Sequence, residues 1–189
     1  MAGATAALLI GVPVGWTLFS SARFPTSKTP EGAYVRIAIA FGRGKLQGSF
    51  PYLESAAQNA ICTIHEFRNK SLARIRSSFE DPERSKWEAS YRTIGDATDP
   101  AAAWVIMATE RGWDARMRRD LSGIGSVESA GDRATIETVR GTRYPFRRDD
   151  RGRWGLSLFT AELVAEKERA ARDFDMIDRA ARDYENARG

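Results

Sequence analysis

The side chains with the most chemical reach are few and scattered along the 189 residues. The only cysteine, Cys62, and the only histidine, His65, stand three apart. On a helix that spacing puts both on one face. Two ligands do not close a zinc site, and no other Cys/His cluster with metal-ligand spacing exists. A half-buried helix pair is the plainer expectation. Asp120, Glu128 and Glu137 are candidate acid–base carboxylates, but Arg119 precedes the first, Ser129 follows the second, and all three read as solvated. Tyr144 lies in a strand-like stretch and could point inward; the alternative there is ordinary core packing. Gly42 and Gly44 are too few and too badly placed for a phosphate loop and read as a helix stop. No catalytic constellation, metal site or cofactor motif emerges.

Charge supplies the next candidate. The net charge is +4, and the basic residues are nearly all Arg, with Lys only at 28, 45, 70, 86 and 167. A GC-rich genome accounts for that bias without any function. Between residues 111 and 153 basic side chains outnumber acidic ones eleven to seven, an excess equal to the whole net charge. Arg116, Arg118, Arg119, Arg147 and Arg148 are the core of a candidate basic patch. Such a patch could follow phosphates or anionic lipid headgroups, or be a solvated face. No aromatic-interleaved RNA motif accompanies it, and nucleic acid is not an expected partner.

Residues 4–19, ATAALLIGVPVGWTLF, carry no charge. Their length suits a signal-peptide core or an N-terminal anchor better than a full span. Small residues follow at Ser20-Ser21-Ala22, and Trp16 and Phe19 suit an interface. Residues 1–22 are therefore expected to export or anchor the chain in the cell envelope, and residues 23–30, with two prolines, to be a linker. A buried N-terminal element is the other reading.

The remaining elements must position whatever the chain uses. Thr29-Pro30-Glu31 opens a helix with a capping hydroxyl, Pro at the first position and an acid in the first turn. Apolar steps of three and four predict helix over 51–79 and again, after Asp99-Pro100, over 100–110, where Trp104 supplies core. A short helix is expected around Trp87. After Gly112 the period changes to two, predicting strands at 124–129, 134–139, 144–148 and 153–159, with Pro145 marking an edge or bulge and Trp154 on the inner face. This meander cannot bury its apolar face alone, so the helices must cover it. Residues 160–188 form a long helix with Leu163, Ala170, Ile177 and Tyr184 recurring every seven residues and Phe174 and Ala181 between. That stripe suits docking on its own domain or zipping to a second chain.

Helices followed by a meander that ends in a tryptophan strand resemble the NTF2-like (cystatin-like) α+β cone, in its lumazine-binding-like, non-catalytic form. The resemblance rests on TPEGAYVRIAIAFGRGKLQGSFPYL at 29–53, similar to the family's first helix and the glycine loop after it. It rests also on GDRATIETVRGTRYPFRRDDRGRWGLSL at 131–158, similar to the closing hairpin with its "GxW" strand. It implies a concave sheet around a cavity, in a superfamily of isomerases, dehydratases and non-enzymatic binding modules, so fold alone does not select a function. The chain departs from the pattern in its longer helical region at 54–110 and its terminal helix. The expectation is an α+β domain over 31–159 plus a C-terminal amphipathic helix over 160–189. Its expected role is non-catalytic: an envelope module binding a partner protein or a small apolar ligand through Tyr144, Trp154, Trp104, Phe174 and Ile177. The alternatives are a pocket enzyme of isomerase or dehydratase type and a helix-zipped scaffold that self-associates through the last helix.

Overall fold

A computed structural model describes residues 26–188. The expected anchor at 1–22 lies outside them. Helix α1 (Pro30–Gly42) begins as its sequence dictates, with Thr29 Oγ1 accepting from Gly32 N at 3.1 Å and Pro30 at the first helical position. Ala33, Tyr34, Ile37, Ala40 and Phe41 recur at helical spacing and are all buried. A 3-10 helix (Leu46–Tyr52) follows and contains Pro51. Helix α2 (Ser55–Ser78) starts four residues later than its apolar pattern predicts. Helices α3 (Glu83–Gly95), α4 (Pro100–Glu110) and α5 (Trp113–Asp120) come next. Strands β1 (Ile124–Ala130), β2 (Arg133–Thr138), β3 (Arg143–Arg148) and β4 (Trp154–Leu156) form one antiparallel sheet in the order 1-2-3-4. Helix α6 (Thr160–Asn186) ends the described chain. The fold is thus α+β, helices first and meander after, as expected.

Two further elements differ from the sequence expectation. Helix α5 is additional: in WDARMRRD only Trp113 and Met117 are buried, and that i,i+4 pair is enough to seat one short helix on the core. Strand β4 is only three residues long, because Leu163 and Phe159 draw the chain into α6 almost at once.

The sheet's inner face carries Ala134, Ile136, Tyr144, Phe146, Trp154 and Leu156, with Ile136 opposite Tyr144 and Phe146 opposite Leu156. These residues join one core with Tyr34, Ile37 and Phe41 of α1 and with Trp104, Trp113, Met117 and Phe159. Trp113 stacks on Phe159 with ring centroids 4.5 Å apart, and Trp104 lies 5.8 Å from Trp113. Each such side chain contributes roughly 1.5–3 kcal/mol of transfer free energy. The buried Trp104 indole is satisfied by Ser49 Oγ at 2.9 Å, which itself donates to Leu46 O at 2.6 Å. At the β4 edge, Glu54 N donates to Leu156 O at 2.9 Å and Leu53 forms a parallel bridge to Leu156. Gly155 permits this approach: a Cβ there would lie 2.4 Å from Leu53 O.

Helices α2 and α6 run parallel, both rooted at the sheet. Thr160 meets Glu54 at the base, Arg68 meets Glu166 and Asp173 midway, and Ser78 meets Glu185 near the far end. The α2 residues on the seam step by fours and threes: Ala57, Ile61, Ile64, Arg68, Ser71, Ile75 and Ser78. The α6 seam uses Leu163, Glu166, Ala170, Ile177 and Ala181. This is the heptad spacing of a coiled coil, and the stripe on α6 is occupied within the chain. Helix α3 returns antiparallel along α2, close enough that a Cβ on Gly95 would sit 2.9 Å from Arg68 O. A second, smaller core of Leu72, Ile75, Phe79, Tyr91, Ile177 and Ala181 holds these three helices together.

Candidate functional site

The predicted site residues separate into several places. Tyr144 and Trp104 sit in the main core at 2 % and 0 % exposure, and Trp154 lies at the rim of the same core. Phe174 is half-buried beside Phe67, with ring centroids 5.8 Å apart, and Ile177 belongs to the second core. These five do not line one cavity.

Tyr144 is the most unusual of them. Its ring lies 5.6 Å from that of Tyr34, whose hydroxyl donates to Ser122 O at 2.6 Å and accepts from Ser122 N at 3.2 Å. The Tyr144 hydroxyl is buried and has no hydrogen-bond partner, and neither has the buried Ser122 Oγ. Desolvation, reinforced by Tyr34 and Asp120 and opposed by Arg116, pushes the Tyr144 hydroxyl up to about 12. Burial also raises Tyr34, offset by its bond to the Ser122 backbone. Both tyrosines are therefore neutral donors at physiological pH.

The acid–base candidates are spoken for. Asp120 pairs with Arg119 at 3.0 Å, and Glu128 with Arg143 at 2.8 Å; Glu137 lies 3.8 Å from the same arginine. His65 Nε2 hydrogen-bonds Ala97 O at 2.9 Å, tying α2 to the loop after α3. The expected half-buried Cys62–His65 pair needs correction, since Cys62 is exposed and only His65 is half-buried. Among the described residues no group of three His, Cys, Asp or Glu could hold a metal ion.

The basic residues form two clusters rather than one patch. Arg116, Arg118 and Arg119 lie on α5, facing Asp120 and Asp114, and Arg140 donates to Arg119 O. Arg147 and Arg148 lie at the opposite end of β3, on the hairpin to β4. Arg147 is 3.5 Å from the buried Glu54 and 3.4 Å from Asp132, and Arg148 stacks over Trp154 at 5.5 Å. Between this hairpin and the start of α2 lies a cavity of about 200 Å³, with Glu54, Ser55, Arg147, Arg148, Arg153 and Trp154 in its walls. Asp149 organises the hairpin: its Oδ1 accepts from Arg151 N at 3.0 Å and Arg153 N at 2.8 Å. Those bonds, led by the Arg153 amide, hold its carboxyl below the usual range.

Sequence reasoning missed one charged centre entirely. Glu166, on the α6 seam and 8 % exposed, accepts from Arg68 at 3.1 Å, Arg111 at 3.0 Å and Arg169 at 3.1 Å. Arg68 also binds Asp173 at 2.7 Å and lies 5.2 Å over the Tyr91 ring. The available signal was positional: Glu166 falls three residues after Leu163 and four before Ala170, on the apolar stripe itself. Among the described residues no helix is long and apolar enough to cross a membrane. Comparison of the chain with protein-family models, with curated proteins and with solved structures returns no match.

Proposed function

We propose that the chain is a non-catalytic envelope module on the NTF2-like plan, exported or held at a membrane through residues 4–19, that binds a partner protein. The observation that carries the non-catalytic reading is the filled inner face of the sheet. Trp104, Trp113, Phe146 and Phe159, none more than 6 % exposed, occupy the volume in which a substrate would sit. Acid–base catalysis in such a volume needs a titratable group inside it, and the carboxylates considered for that role stand in ion pairs with arginines. The NTF2-like assignment draws on element order, with helices first and a meander closing in the Trp154 strand.

A second reading, a small apolar ligand, draws on the Tyr144 hydroxyl. A buried donor without an acceptor is a handle for one ligand oxygen. Native mass spectrometry of the full chain, released gently from fractionated cells, separates these readings. The expected result is a membrane or envelope fraction in which the chain carries a second polypeptide. A small mass excess lost on denaturation would replace the partner by a ligand. A homodimer without a second polypeptide would point to assembly through α6 instead. Recovery wholly in the cytosol would overturn the envelope reading.

A further inference from the structure

The β3–β4 hairpin stands where the described chain begins. Trp154 N donates to Ser27 O at 2.7 Å, so the turn preceding α1 is pinned against β4 beside the hairpin. Six residues lie between Phe19 and Thr26, so their Cα atoms are at most about 25 Å apart in a fully extended chain. If residues 4–19 sit in a bilayer, Thr26, and with it the side of the domain that carries the hairpin, is held close to that surface. The hairpin also carries charge that the protein does not use. Arg147 and Arg153 are matched by Glu54, Asp132 and Asp149. Arg148 has only the Trp154 ring, and neither Arg151 nor Lys28 has a side-chain partner among the described residues. All three are exposed; the exposed acids beside them are Asp150 and Asp132, the latter paired with Arg147. The α5 arginines, by contrast, are paired and lie at the other end of the strands.

We infer that Lys28, Arg148 and Arg151 form a basic foot that rests on the anionic phospholipid surface in which the chain's own N-terminal segment is anchored. This rests on the membrane reading above and adds the orientation of the domain. Basic side chains at such a surface are held by its negative potential, which decays within a Debye length. Two weak contacts joined by a short tether act at high effective concentration, so a modest foot suffices.

The test uses the full chain reconstituted into phosphatidylcholine vesicles with or without 30 % phosphatidylglycerol. The exposed thiol is removed by Cys62→Ser, and a fluorophore is placed by Asp150→Cys on the hairpin or by Ala187→Cys at the far end of α6. Lipids bearing a headgroup nitroxide quench a nearby fluorophore. The expected result is strong quenching at 150 but not at 187, in phosphatidylglycerol vesicles and at low salt only. The double variant Lys28→Gln, Arg151→Gln, which disturbs no pair in the fold, should weaken hairpin association by about 25-fold, at about fivefold per basic side chain. The triple variant with Arg148→Gln should weaken it further. Equal quenching at 150 and 187, or quenching at 150 that ignores lipid charge and the double variant, would overturn the basic foot while leaving the anchor standing. Failure of the full chain to float with vesicles of either composition would overturn the anchor and the foot together.

Discussion

Replacing Glu166 by Gln would leave the volume at the α2–α6 seam nearly unchanged and remove one charge. Its carboxylate, with 9 % of the side chain accessible, is shared among Arg68, Arg111 and Arg169. Removing one partner of a buried ion pair costs about 3–5 kcal/mol, because the other charge is left desolvated and unmatched. Two features lower that figure here. Arg169 is 64 % accessible, so its share is a few tenths of a kcal/mol. Arg68 keeps Asp173 at 2.7 Å. Arg111 keeps only the Trp113 ring, 5.0 Å away. The expected loss is therefore about 3 kcal/mol, the low end of the range. With a urea dependence of about 2 kcal/mol per M, the midpoint should fall by about 1.5 M at unchanged slope. Equilibrium urea unfolding followed by tryptophan near-UV dichroism measures it. A loss below about 1 kcal/mol at unchanged slope would refute the reasoning, since it would mean that water or Asp173 already compensates the arginines. A cycle with Arg68→Met adds a check: the double variant should be less damaging than the sum of the singles.

Tyr144→Phe should leave stability at pH 8 unchanged or raise it by up to about 1 kcal/mol, because the hydroxyl it deletes has no partner. The same variant should flatten the alkaline limb. The folded-state hydroxyl titrates near 12 against an ordinary value of 10.0, so its contribution is complete below pH 10 and lost between pH 10 and 12, at up to about 1.4 kcal/mol per pH unit. Parallel wild-type and variant profiles from denaturant unfolding at pH 8 and 11 would contradict this. Gly155→Ala would drive a methyl group into Leu53 O and part β4 from the residue before Glu54. A loss of about 3 kcal/mol is expected, and a thermal midpoint within a degree of wild type would show that the β4 edge is freer than its contacts imply.

Much of this architecture was legible because single residues announced it. Asp99-Pro100 marks the start of α4, where Asp99 Oδ1 accepts from Ala102 N at 2.7 Å. The alternation of 134–139 found β2, and the seven-residue recurrence from Leu163 found α6. Helix α5 escaped because a two-turn element with only two buried apolar residues has no period to detect. The pairing of α2 with α6 escaped for a different reason: Arg68, Ser71 and Glu166 occupy seam positions where a hydrophobic pattern breaks off. Site residues were legible one by one, but their grouping was not. Spacing in sequence could not say that Arg116 and Arg147 lie at opposite ends of the strands, or that Phe174 and Tyr144 belong to different cores.

The parallel course of α2 and α6 governs how the molecule carries load. Residue 27 is fixed beside β4 at the base, whereas Arg188 meets Glu80 at the tip. A helix of the length of α6, 27 residues, spans about 40 Å. Among the described residues the two ends of the chain therefore stand at opposite ends of α6. A pull between the two ends runs along the axis of α6 and shears its seam with α2 all at once, instead of opening it turn by turn. The buried Glu166 cluster stands across that shear plane and acts as a bolt.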